Sequence, residues 1–420
     1  MKRLLQITFL AIVVSLYFFS VSFTFIPSSI NSKMILAAFG VVAFLYKSIL
    51  DKSLVLSKRT IFAAILALGF SLWCYFSTII NGTNDMTYAT YWISFATWLG
   101  GAYGVYVIVK AVEGKADLSV ISKYLLIVGI AQCIIALMID NIPAVERIVD
   151  LVFAQGSDFF KKNDRLYGIG CALDSGGVRL ASILVLTGHQ IAHDKRIGEN
   201  VSLLAKYLSG FIIVTVIGSM IARTTSVGAL MAIAYILFTN AAVKRGGYIS
   251  SRQAWFFGLL IVLILLTIVV GSSLYNSSPV VRDYLRFGFE GFFNLAEGGE
   301  FRTNSTDILM NKMWMWPSDW KGWIIGYGRY GVFSWGTDIG YCNFTLYCGL
   351  VGLSLFSSFF IYSFLSLNKK FKNFYLLSLL LIALQAIIWA KVATDIFLVA
   401  ALLFCVEGDN KEKELPEPEN

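Results

Sequence analysis

Thirteen arginines stand in this chain, and eight of them sit where a membrane protein rarely places them: Arg147, Arg165, Arg179, Arg223, Arg282, Arg286, Arg302 and Arg329. A guanidinium is a rigid fork of donors that stays charged at any relevant pH and matches phosphate geometry. Several of them beside apolar helices suit a lipid-linked phosphate or diphosphate. Arg223 is the sharpest case. It lies in GSMIARTTSVGAL, between two apolar runs joined by almost nothing, with hydroxyl donors from Thr224, Thr225 and Ser226 beside it. A charge there is costly unless it faces a cavity or a partner. Arg179, just inside the next apolar run upstream, supports the same idea. Asp338 stands at the mouth of a long apolar run, where it would serve equally as a general base for a sugar hydroxyl or as the N-cap of the helix. Lys391 and Asp395 are either a structural pair or part of the same lining. His189 and His193 are one helical turn apart, but no Glu follows the first and no third ligand is evident, so a zinc site is disfavoured. For Arg147, Arg282 and Arg286, solvated surface is the better reading.

The elements that must position these groups follow from composition. Hydrophobic residues make up 57% of the 420 positions and charged residues only 14%, and mean hydropathy is +0.71. Soluble domains average about 25% charged. The net charge of +8 does not point to nucleic acid, because the lysines punctuate apolar runs instead of forming a patch. The N-terminal run lacks a small-residue cleavage site and reads as an uncleaved first span. Twelve apolar helices are expected, at about 4–25, 33–50, 60–80, 90–110, 118–139, 177–192, 205–222, 226–243, 254–275, 338–366, 374–389 and 392–406. With the N-terminus inside, every inner loop carries Lys or Arg, as the positive-inside rule requires. The eight arginines then fall outside. Two outer segments are long, about 140–176 and 276–337, and their amphipathic stretches predict short helices at the membrane surface. Residues 1–406 thus read as one polytopic all-α membrane domain, and 407–420 as a disordered cytoplasmic tail. The six cysteines are scattered and form no C-x-x-C pair, which argues against a disulfide framework or a zinc site; Cys171 and Cys342 both fall near the outer surface, and a bridge between them is disfavoured. Glycines 326, 328 and 331 mark a loop that is mobile or closely approached, and glycines 340, 349 and 352 allow close helix packing.

The order of motifs is an arginine in an outer loop, an Arg-Thr-Thr hairpin and a large outer loop ending in Gly-x-Gly. Then comes an Asp-x-Gly-Tyr helix start, with Gly-Leu-x-Gly-Leu inside the helix. Over residues 165–355 this resembles the O-antigen and capsular repeat-unit polymerases of the Wzy type, relatives of the O-antigen ligases. Such polymerases carry an arginine, ten residues and a glycine in each of two large periplasmic loops. Here Arg165 precedes Gly176 and Arg329 precedes Gly340 at that distance. The resemblance implies a GT-C-like, metal-independent glycosyltransferase of the bacterial inner membrane, with both termini cytoplasmic. No D-x-D metal motif is present. It implies substrates on undecaprenyl diphosphate, surrounding membrane lipid, and a partner that sets chain length. It implies Asp338 and Arg223 as catalytic, with Arg165, Arg179, Arg302, Arg329, Thr224 and Tyr341 holding diphosphate or glycan.

Two alternatives stand beside the polymerase. A ligase of the same superfamily would be an enzyme with similar arginines, but its histidine is replaced here by Asp338. A transporter or flippase of lipid-linked sugars fits twelve spans. It fits less well the absence of repeated halves and the gathering of charges at the outer face.

Overall fold

The computed structural model describes residues 2–156, 159–160, 165–242 and 251–409. The expected tail beyond residue 409 lies outside the described residues. The fold is 76% helical with almost no sheet, as in an all-α, multi-pass membrane protein. In chain order the elements begin with α1 (Lys2–Phe18), β1 (Ser22–Phe23), α2 (Ser32–Leu50), α3 (Lys58–Ile80), α4 (Tyr91–Glu113) and α5 (Leu118–Asn141). Next come α6 (Pro143–Val152), β2 (Phe153–Ala154), α7 (Leu173–His193), α8 (Lys195–Glu199), α9 (Val201–Ile221), α10 (Thr224–Ala242) and α11 (Ser251–Ser277). The remainder is α12 (Pro279–Gly288), α13 (Glu290–Gly298), α14 (Asn304–Ile308), α15 (Trp320–Ile324), α16 (Val332–Trp335), α17 (Gly340–Leu365), α18 (Tyr375–Trp389) and α19 (Phe397–Cys405).

Each of the twelve expected runs contains a helix. Among the described residues, six helices (α2, α3, α4, α5, α9 and α17) are long and apolar enough to cross a membrane. Their exposed faces carry residues such as Val42, Ile65, Leu72 and Leu350, which suits hydrocarbon. The first helix stops at Phe18 and not near residue 25, because Ser22–Phe23 pairs antiparallel with Phe153–Ala154. The last helix begins at Phe397, since residues 390–396 form an irregular turn.

The chain divides into two compact units. Unit 1 comprises residues 1–32 and 119–303, and unit 2 comprises 33–118 and 304–420. In unit 1, α7 is the centre, buried along nearly its whole length. Small residues let α10 lie against it: Gly188 meets Ala232, and Gly177 meets Ala222 and Thr224. In unit 2 the core is aromatic. Phe70 and Trp389 stack on Phe356, at 4.2 and 5.3 Å, and Tyr88, Tyr91 and Phe344 pack edge-on around it. On α4, Gly100 and Gly104 sit four apart against α2, where Leu36, Ala37 and Gly40 present their backbone.

Basic residues of the expected inner loops close helix ends. Lys370 donates to the carbonyls of Leu403 and Phe404 at the end of α19, and the buried Arg59 donates to Ser366 just past α17. Cations there complement the negative end of the helix dipole. No bridge joins Cys171 and Cys342, as the scattered cysteines lead one to expect. All six cysteines are free: Cys171 is buried against Gly176 in unit 1, and the Cys342 thiol accepts from the Met315 amide in unit 2.

Candidate functional site

The unit 1 site is built on the turn between α9 and α10. Only Ala222 and Arg223 separate the two helices. The hydroxyls of the Thr-Thr-Ser run stitch this turn together. Thr225 donates to the Gly218 carbonyl at 3.0 Å, and the Ser219 and Ser226 hydroxyls meet at 2.7 Å. Thr224 is buried, and its hydroxyl points at Asp174 at 3.5 Å. These hydroxyls hold the hairpin and leave the guanidinium to project from it.

Helix α12 then docks on the hairpin. Ser278 caps it, Pro279 fixes its first turn, and its C-terminal Gly288 lies against the backbone of Ser219 and Met220. A β-carbon at Gly288 would stand 3.0 Å from the Ser219 carbonyl, so glycine is what permits the approach. The docking brings Phe287 beneath two arginines. The Arg223 guanidinium lies 4.4 Å from the ring centre and that of Arg165 4.3 Å. Arg223 Nε also donates to the Phe287 carbonyl at 3.0 Å, and its terminal nitrogen meets Glu290 at 2.7 Å. Burial draws the Arg223 guanidinium below its usual pKa. Glu290 and Asp174 pull the other way, and the neighbouring Arg165 adds to the lowering. Two partly desolvated cations over one ring form a charge arrangement that a further anion would stabilise.

The other arginines of unit 1 lie elsewhere. Arg179 donates to the Gly170 carbonyl and fastens the segment before α7. Arg302 is exposed and pairs with Glu300 at 3.1 Å. Arg147 donates to its own helix at Pro143, and Arg286 joins Glu297 and the Tyr275 hydroxyl. His189 and His193 both hydrogen-bond the Tyr235 hydroxyl, at 2.8 and 3.0 Å.

The unit 2 candidates surround the start of α17. That helix is broken at Gly349, whose φ of 68° and ψ of −177° are closed to other residues. The break frees three carbonyls, and each finds a donor. Leu346 accepts from the Tyr327 amide, Tyr347 from the Gly328 amide and the Ser77 hydroxyl, and Cys348 from the Trp73 indole. The glycine loop 326–331 is therefore closely approached, being bound along the helix.

Asn343 ties this loop to the helix start, accepting from the Gly331 amide and donating to the Thr337 carbonyl. The residue at the cap position is Ile339, and the Thr337 hydroxyl accepts from its amide. Asp338 is accordingly not the N-cap. It is exposed, one residue before the cap, on a loop that Asn343 fixes from both sides. Arg329 is exposed, and its carbonyl accepts from the Trp335 indole. Tyr341 donates to the Ala386 carbonyl. Burial pushes the Tyr330 hydroxyl up to about 12; the Asp395, Asp85 and Asp338 carboxylates add to this, while the Tyr88 hydroxyl opposes it. Asp395 accepts from the Tyr91 hydroxyl and the Phe397 amide, which gives it a structural role at the head of α19.

The structure thus joins Arg165 and Arg223 in unit 1 and sets Arg329, Asp338 and Tyr341 around one helix start in unit 2. Phe287 and Glu290 escaped the sequence reading. Both lie in the amphipathic stretch VVRDYLRFGFEGFFNL, but no spacing pairs them with Arg223. No protein-family model, curated protein or solved structure matches the chain.

Proposed function

We propose that the protein is a polymerase of lipid-linked oligosaccharide repeat units. In this reading it is a metal-independent GT-C-type glycosyltransferase with twelve spans, working at the outer face of the bacterial inner membrane. The observation that carries the reading is the pair of guanidiniums, Arg165 and Arg223, over Phe287 at a helix turn. A diphosphate fits such a pair better than a sugar does, because each fork can take two phosphate oxygens. The positive-inside pattern supports placing that turn outside.

The reaction follows from these roles. An acceptor hydroxyl attacks the anomeric carbon of the glycan on undecaprenyl diphosphate. The bond from that carbon to the diphosphate oxygen breaks, and undecaprenyl diphosphate leaves with its electrons. The guanidiniums stabilise the negative charge growing on the leaving oxygen. Asp338 takes the proton of the attacking hydroxyl, for which its exposed position on a fixed loop is suited. The acceptor is one repeat unit on the same lipid, and a separate protein would set chain length.

In cells that make the polymer, Arg165→Ala, Arg223→Ala and Asp338→Ala are each expected to shorten or abolish long glycan chains at normal protein levels. Wild-type ladders from all three would sink the reading. The break in α17 is a feature that transporters share. Each of its freed carbonyls accepts from a protein donor, however, as in a structural break.

A further inference from the structure

A cavity of about 100 Å³ lies in unit 1 beside the guanidinium pair. One water needs only about 10–15 Å³ of such space, so this is room for a ring. Its polar wall is Asp140, Glu146, Arg165 and Tyr284. Its apolar wall is Ile139, Phe160 and Tyr167, which belong to one buried cluster. Tyr284 donates to an Asp140 oxygen at 2.6 Å and so fixes that carboxylate.

Arg165 belongs to both places, lining the cavity and standing 4.3 Å over the Phe287 ring. Helix α12 links them a second time. Tyr284 and Phe287 are three residues apart and share a helix face, one reaching the cavity and the other lying under the arginines. A ligand whose diphosphate rests on the guanidiniums therefore has its next group at the cavity.

The cavity's chemistry defines that group. Carboxylates only accept hydrogen bonds, and two of them suit a ring rich in hydroxyl donors. An aromatic and aliphatic wall suits the ring's apolar face. Two carboxylates also repel an acidic sugar, the more so once Arg165 is engaged by phosphate.

We propose that this cavity holds a neutral sugar ring attached directly to the diphosphate of a lipid-linked substrate, selected by Asp140 and Glu146 through its hydroxyls. The inference rests on reading Arg165 and Arg223 as the diphosphate holders.

The test is calorimetric binding to the full chain in lipid nanodiscs. The probes are farnesyl diphosphate alone, and the same diphosphate bearing glucose, galactose, N-acetylglucosamine or glucuronic acid. The bare diphosphate is expected to bind, at least one neutral sugar to tighten it, and glucuronic acid not to. Asp140→Asn and Glu146→Gln should each weaken the neutral-sugar probe roughly tenfold, as for a hydrogen bond to a charged group, and leave bare farnesyl diphosphate unchanged. Tyr284→Phe should give a smaller loss in the same direction, and an unshifted melting temperature shows that each variant folds. If no sugar tightens binding, or the variants weaken the bare diphosphate equally, the sugar site is wrong and the arginine reading stands. If the bare diphosphate does not bind at all, both fall.

Discussion

Arg223 already has an anion. Glu290 stands 2.7 Å from its guanidinium, and both side chains are about four-fifths buried. In the proposed reaction Glu290 is a competitor that the diphosphate displaces. Glu290→Gln should therefore tighten farnesyl diphosphate binding roughly three- to tenfold, the equivalent of about 1 kcal/mol, while Arg223→Ala should weaken it. Calorimetry on the two purified variants checks this, and weaker binding in Glu290→Gln would show that the carboxylate supports the site instead. At this scale the sequence was informative about charge and silent about partners. An arginine in a two-residue hairpin is conspicuous among apolar neighbours, so Arg223 could be singled out. Phe287 is 64 positions away, and its role depends on Gly288 letting α12 reach the hairpin. Arg179 and Arg302 had the same residue type and similar surroundings in the linear chain. Only folding shows that one clamps the Gly170 carbonyl and the other pairs with Glu300 at the surface.

The elements were more legible. Each apolar run in the sequence contains a helix, because a helix in hydrocarbon must be apolar along its length. The end of α1 is set by pairing with residues 153–154, and hydropathy carries no trace of such a distant partner. The break in α17 was hidden in the same way, since Gly349 sits in an unbroken apolar run and its glycines read as packing residues. Its backbone makes a prediction. Gly349→Ala forces a side chain into a glycine-only conformation and against the Ile324 carbonyl. It should cost at least about 1–3 kcal/mol and lower the melting temperature in detergent. Gly69→Ala in α3 is the matched control, with a helical backbone and nothing within 4 Å of the new carbon. It should leave the melting temperature unchanged or raise it. Equal losses in both variants would mean that the α17 break is not what these helices depend on.

At the scale of the whole molecule, the chain divides into two compact units, each assembled from separated stretches. Periodicity and charge cannot reveal such interleaving, which depends on which helices meet. The division distributes the proposed roles. Arg165 and Arg223 belong to unit 1 and Asp338 to unit 2, and the proposed reaction requires both roles. The most direct test of that claim uses the purified protein in nanodiscs, supplied with undecaprenyl-diphosphate-linked repeat units and no other acceptor. Gel analysis of the released glycan should show a ladder of elongated chains. Arg223→Ala and Asp338→Asn should each lower its rate by roughly a hundredfold or more, the scale expected for removing a charge stabiliser or a general base. Repeat units that stay unelongated, or that cross the membrane without bond formation, would contradict the account.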